Sequence, residues 1–365
     1  MATREEARAA RDAKLDALHA RLAGQVEALV SGEDWKRALE FAARFRSRSF
    51  NNTLLIEMQH LDAYDKGRVP DAVPSYVAGF KQWQTLGRQV AKGQAGYMIF
   101  APVRGRFATT TPQDPGSWRR LGRFEKPKAG ETMRSRVVGA KPAYVWDVSQ
   151  TTGDPVPERP APRLLKGQAP EGLWDGLAGL VESAGYAVVR VPDELAIHGA
   201  NGMTDFESRT VSVRANMDPA AQVKTLAHEL AHVRLHGPGN EEARRHRGIG
   251  EVEADSVALM IAAAHGMDTS DYTIPYVAGW ASTVKDSSPV EVVKATGERV
   301  RAAAVAILDA LPTAQVGGGD PPGLTRDHPN PERPEQPDKA RATAPAMAAE
   351  PRPALAPAVP VARGL

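Results

Sequence analysis

At 365 residues the chain is long enough for two domains, and its 42% hydrophobic and 25% charged side chains are those of a soluble globular protein. It contains no cysteine, which excludes disulfides, thiolate metal sites and cysteine nucleophiles together. The formal net charge of +2 excludes nucleic-acid affinity from bulk charge, so any such affinity needs cations gathered on one surface.

The opening stretch MATREEARAARDAKLDALHARL is charged throughout and lacks the apolar centre of a signal peptide. No apolar run approaches the roughly 18 residues that span a bilayer, so the expectation is a cytoplasmic protein without a membrane partner. Leu15, Leu18, Leu22, Val26, Leu29 and Val30 recur at helical spacing and predict a helix within residues 1–30. A second helix is predicted over Asp34 to Arg46, with Trp35, Leu39, Ala42 and Phe45 on one stripe. SFNNTLLIEMQH predicts a third, capped by Ser49 or Asn51. After the proline-bounded GRVPDAVP come a helix, a turn and a strand, with Gly87 and Gly93 in the turns and AGYMIFAPV as the strand.

Residues 104–141 carry Arg104, Arg106, Arg119, Arg120, Arg123, Lys126, Lys128, Arg134, Arg136 and Lys141 against only Asp114, Glu125 and Glu131, with Trp118 and Phe124 interleaved. This basic insertion reads either as a nucleic-acid contact or as a flexible charged loop. AYVWDVSQTTG follows as a strand, and DPVPERPAP is a linker. The second unit opens with the helix GLWDGLAGLVESAG and the strands YAVVRV and TVSVRA. A helix with Asp218 as N-cap and Pro219 in its first turn follows, then helices near 250–265 and 290–311. From about 314 the chain is rich in proline and alanine and predicts disorder. The expected fold is therefore α+β: a mixed α/β domain over 31–155, a linker at 156–163, a mainly helical domain with a small antiparallel sheet over 164–313, and a disordered tail over 314–365.

Chemistry concentrates in TLAHELAHVRLHG. Residues four apart share a helix face, so His228 and His232 project together, with Glu229 beside them to act as base on a metal-held water. A bare H-E-x-x-H arises by chance, but the helix signals around it and the acidic helix downstream agree with a zinc site. A catalytic zinc needs a third protein ligand. Glu251 shares a stripe with Asp255, Ala258 and Ala262, whose small side chains permit close approach, so Glu251 is the expected ligand and Asp255 the partner of a ligating histidine. Glu253 is the reserve. His236 reads as a partner of the helix C-terminal dipole, His246 as a solvated loop residue, and His198 as a turn residue outside the site.

HELAH, EVEAD and DTSDYTIPYVAGW resemble the ImmA/IrrE-like metallopeptidases of the gluzincin type, over about Tyr186 to Trp280. The resemblance implies zinc held by His228, His232 and Glu251, with Glu229 as general base in peptide hydrolysis. Where the family runs FA…LLMP, this chain has VALMIAAAHG, which leaves the substrate-side wall open. Tyr272 or Tyr276 is available as an oxyanion donor, and TVSVR as an edge for an extended peptide substrate.

NNTLLIEMQH, AGFKQWQTLGRQVAKGQAGYMIFAP and VWDVSQTTG resemble the N-terminal domain of ArdC-like antirestriction proteins, over about 34–155. That resemblance implies binding of single-stranded DNA and carriage on a mobile element. Arg48, Lys81, Arg88, Lys92, Arg104 and Arg106 are the expected phosphate contacts. Trp83, Tyr97 and Phe100 are the candidate stacking faces, although Trp83 and Phe100 individually read as core. Two functions follow: a DNA-associated zinc peptidase, or a non-catalytic single-strand-binding antirestriction protein whose zinc site is structural. The presence of Glu229 favours the first.

Overall fold

Three helices open the chain: α1 (Arg4–Ala28), α2 (Gly32–Arg44) and α3 (Phe50–Asp65). This is a computed structural model, and it describes residues 4–29, 31–156, 167–240, 247–270, 272, 277–282, 284, 287–322 and 324. Local chemistry sets the helix starts. The Ser31 side chain accepts the Asp34 N–H at 3.2 Å and the Asp34 carboxylate accepts the Ser31 N–H at 3.0 Å, a reciprocal cap for α2. Of the two candidate caps for α3, Ser49 takes the role by accepting the Asn52 N–H.

The next elements are β1 (Val77–Gly79), α4 (Phe80–Thr85), β2 (Arg88–Val90), β3 (Tyr97–Thr109), β4 (Arg119–Arg120), β5 (Thr132–Asp147) and β6 (Thr151–Gly153). A four-stranded sheet runs β1-β5-β3-β4, and β2 pairs with β6. β3 and β5 are antiparallel from Tyr97↔Val145 to Thr109↔Thr132, with a register shift at Val103/Arg104. Residues 104–109 and 132–141 of the basic insertion are thus the outer half of a long hairpin, to which Arg119–Arg120 adds β4, while 110–118 and 121–131 connect the strands. Every side chain from 132 to 141 is exposed or half-exposed.

The second half comprises α5 (Leu173–Ser183), β7 (Ala187–Val191), β8 (Gly202–Asp205), β9 (Thr210–Arg214), α6 (Pro219–Leu235), α7 (Arg247–Ala264), α8 (Val277–Ala281) and α9 (Pro289–Ala310). Its sheet is mixed, not antiparallel as expected: β9 lies in the centre, parallel to β7 and antiparallel to β8. The β8–β9 hairpin returns the chain between two strands already laid down, which makes β7 and β8 the edges.

One apolar core runs through both halves, taking in Leu18, Trp35 and Phe50 together with Leu226, Met260 and Val300. The Trp35 indole N–H donates to Ser256 Oγ on α7 at 2.9 Å, tying α2 to the second half. Residues 314–322, expected to be disordered, belong to this packed unit. Val316 O accepts from Arg46 at 2.9 Å, Gly319 O accepts the Val77 N–H at 2.8 Å, and Asp320 pairs with Arg48 at 3.0 Å. Composition missed this because the segment satisfies its backbone on distant elements. Linker residues 157–163 and the tail from 325 lie outside the described residues. No helix of the described residues is long and apolar enough to cross a membrane.

One core-facing acid on α3 gives a stability test. Burial pushes the Glu57 carboxyl up to about 7 from 4.5, opposed in part by Arg37. A raised carboxyl costs stability progressively as pH climbs from the unfolded value through the folded one. Glu57→Gln should therefore add about 1–2 kcal/mol at pH 8 and nothing near pH 4, read by denaturant unfolding at both pH values.

Candidate metal centre

Helix α6 is capped by Asp218, whose side chain accepts the Ala221 N–H at 2.8 Å, with Pro219 in the first turn as expected. Val223, Leu226, Ala227, Leu230 and Ala231 bury one face of it. α6 and α7 pack against each other, and Ala227 and Ala231 of one and Ala254 and Ala258 of the other are buried in the same core. That packing brings three side chains together. His228 Nε2 and His232 Nε2 are 3.0 Å apart, and Glu251 Oε2 lies 3.4 Å and 3.6 Å from them. Among the described residues these form a group whose donor atoms can hold a metal ion.

The chemistry of this donor set fits a divalent cation. His228 Nδ1 donates to Asp255 Oδ1 at 2.9 Å, so its Nε2 is the atom turned to the centre. Two imidazole nitrogens 3.0 Å apart beside a carboxylate need positive charge between them. The separations match the spacing of about 3.4 Å between ligands that each sit roughly 2.1 Å from a tetrahedral ion. Without a metal, a proton supplies that charge. Burial alone would lower the His228 imidazole, but Asp255 and then Glu251 outweigh it and hold it at about 10. The same contacts with His228 and His232 hold the Glu251 carboxyl well below its usual range.

Glu253, the reserve ligand, faces elsewhere. Its side chain is 7% exposed against 64% for Glu251, and it meets His236 and Arg299 instead. Glu229 is 5% exposed, and its Oε2 accepts the Thr204 hydroxyl of β8 at 2.7 Å. Gly202, two residues earlier on that face, makes room for it: a Cβ there would sit 2.7 Å from Glu229 Oε1 and 2.5 Å from Thr225 Cγ2. Tyr272 is buried, its hydroxyl has no hydrogen-bond partner among the described residues, and the Lys224 ammonium lies 3.7 Å over its ring. Burial and then Asp255 push its phenol far above the usual value, so it keeps its proton. Tyr276 and His246 lie outside the described residues, and His198 is exposed at the end of a turn.

His236 is the C-cap of α6, the helix terminus where the sequence puts it, and it has partners that the sequence does not show. It is buried, with Nδ1 2.9 Å from His232 Nδ1 and Nε2 3.0 Å from Glu253 Oε2. Its spacing of four from His232 was the available signal.

The expected DNA contacts divide. Arg88 is buried and donates to Thr151 Oγ1 at 2.9 Å, to Thr151 O at 3.0 Å and to the carbonyls of Gly153 and Asp154. Arg48 donates to Val77 O at 2.8 Å and pairs with Asp320. Arg106 ties the carbonyls of Gly122, Arg123 and Glu125 together. These three guanidinium groups are engaged within the fold, Arg88 and Arg48 in buried or part-buried bonds and Arg106 in bonds at the surface. Lys81, Lys92 and Arg104 are exposed. Trp83 and Tyr97 are buried, and Phe100 packs on His19 at 4.7 Å. Among the described residues Phe124 on the hairpin is 85% exposed, and Tyr64, Phe80 and Tyr144 are exposed as well; Trp118 and Phe107 are half-buried, with the Arg134 guanidinium 3.6 Å over the first and Arg136 5.6 Å over the second.

Residues 16–146 match the family model described as the N-terminal domain of anti-restriction factor ArdC, and residues 188–275 match that of the IrrE N-terminal-like domain. The chain is 24% identical over 273 residues to an uncharacterized Bacillus anthracis protein, covering 70% of this chain and 44% of that protein. It thus spans less than half the length of that relative. The metal-free crystal structure of antirestriction ArdC protein from plasmid R388 shares 18% identity, with 72% of this chain and 84% of that one covered and a TM-score of 0.41. The Mn(II)-bound structure of the same protein covers 72% and 88%, again at 18% identity, with a TM-score of 0.39.

Proposed function

We infer, from a chain that joins an ArdC-like N-terminal domain to an IrrE-like domain, a zinc-dependent metallopeptidase of a mobile element that binds single-stranded DNA and serves antirestriction in the cytoplasm. The observation that carries the enzymatic reading is the buried Glu229 carboxylate set beside the convergence of His228, His232 and Glu251. A structural site has no use for a second carboxylate held there at the cost of burial.

His228, His232 and Glu251 would hold the zinc. When bound, zinc supplies a Lewis acid and a water acidified toward neutrality. Glu229, fixed by Thr204, takes the proton of the attacking water and hands it to the leaving amine. Tyr272 keeps a hydroxyl proton that has no acceptor among the described residues, which suits a donor to the developing oxyanion. The edge expected at TVSVR is occupied on both sides, since β9 is central. The open edge beside Glu229 is β8, where an extended peptide would add by main-chain pairing.

Single-stranded DNA would lie along the β3–β5 hairpin, whose Arg104, Arg120, Arg136 and Lys141 are exposed around Trp118, Phe107 and Phe124. Elemental analysis of the purified chain together with a single-strand gel shift tests both halves of the reading. Zinc near one per chain and a shift are expected, and an apoprotein that takes up no divalent metal removes the peptidase. DNA affinity should fall by about tenfold or more between 50 mM and 200 mM salt, and Arg136→Ala should reduce the salt slope by about one. A flat salt response would take the hairpin out of the account.

A further inference from the structure

On the side of His232 away from the metal position runs a partly buried chain of hydrogen bonds that the peptidase reading leaves unused. His232 Nδ1 lies 2.9 Å from His236 Nδ1, His236 Nε2 lies 3.0 Å from Glu253 Oε2, and Arg299 Nε donates to Glu253 Oε1 at 2.7 Å. His236 and Glu253 are buried, and Arg299 comes from α9.

The direction of each bond follows from the end of the chain. Glu253, paired with a guanidinium, accepts at both oxygens, so His236 carries its proton on Nε2. His236 Nδ1 is then a lone pair that only accepts, so His232 carries its proton on Nδ1. His232 Nε2 is left bare, facing His228 Nε2 and Glu251 Oε2. That is the tautomer a metal ligand needs. Asp255 imposes it on His228 in one step, whereas His232 receives it from Glu253 in two. The spacing of the two glutamates explains itself: residues two apart on α7 point to different faces, Glu251 to the metal position and Glu253 behind it.

We propose that His236 and Glu253 are positioning residues that lock His232 in its metal-binding tautomer and ring orientation, with Arg299 holding Glu253 in place. The proposal rests on the reading of His228, His232 and Glu251 as the metal site. His236→Leu removes the acceptor, whereas His236→Asn restores one where Nδ1 stood. Zinc(II) affinity of the metal-free protein, measured against a chromophoric chelator, should fall about 10–100-fold for the leucine variant and only a few-fold for the asparagine variant. Ring 15N shifts of metal-free His232 should report the Nδ1–H tautomer in the parent and a mixture in His236→Leu. Arg299→Ala, on a half-exposed side chain, should lower affinity a few-fold and guards against a leucine variant that fails to fold. Equal affinity in parent, His236→Leu and His236→Asn would overturn the proposal and leave the metal site standing. Equal losses in both His236 variants with an unchanged His232 tautomer would overturn it as well. Failure of the parent to bind zinc(II) would remove the metal site and the proposal with it.

Discussion

Glu229→Gln should lower peptide-bond hydrolysis by about 10²–10⁴-fold while leaving zinc content and DNA binding at parental levels. The size of the effect follows from what the substitution removes. Glutamine keeps the shape of the side chain, so the packing against Gly202 survives, and its carbonyl oxygen still accepts the Thr204 hydroxyl that Glu229 Oε2 accepts at 2.7 Å. What disappears is basicity at one atom. Cleavage of an unfolded protein substrate, followed by the appearance of new amino termini, reads the loss directly. Parent-like cleavage by the variant would end the assignment of Glu229 as the base.

The same variant separates the two biological readings. If Glu229→Gln protects incoming DNA from restriction as well as the parent does, hydrolysis is not the means of protection and single-strand binding carries it. If protection falls with cleavage, the peptidase is the effector and the N-terminal domain delivers it. The substitution suits this because Glu229 lies on α6, whereas the exposed cations of the hairpin lie between 104 and 141.

How much of this was readable from sequence depended on how far apart the interacting residues lie along the chain. The pair His228 and His232 and the choice of Glu251 over Glu253 needed only the period of a helix, and the structure brings the first three together while Glu253 meets His236 and Arg299. His236 ends α6 as its sequence position suggests, but its contact with Glu253 on the next helix, and through it Arg299 beyond, is one that periodicity cannot place. A count of cations could not tell Arg88, bonded to the carbonyls of 151–154, from Arg104, which is exposed. Strand order is likewise non-local: TVSVR alternates like an edge strand yet sits between β7 and β8. Composition failed at 314–322, where glycine and proline accompany backbone pairing to Ala264 and Val77.

Glu251→Ala should raise the zinc dissociation constant by more than the 10–100-fold that an outer partner of a ligand contributes, roughly, because it deletes one of three donors. Glu253→Ala keeps all three donors and should still load fully at saturating metal. Elemental analysis after dialysis distinguishes them, and retention by Glu251→Ala with loss by Glu253→Ala would reverse the ligand assignment. Proton linkage sharpens the comparison. In the metal-free protein the His228 imidazole is held at about 10, so at neutral pH it carries the proton that a metal must displace. The sign is fixed: lowering pH restores the competitor, and apparent affinity falls about tenfold per pH unit for each proton released. Calorimetry in buffers of different ionisation enthalpy should register about one proton released per metal at pH 7 in the parent. Metal binding that releases no proton at pH 7 would show that the ion does not enter between the two imidazoles.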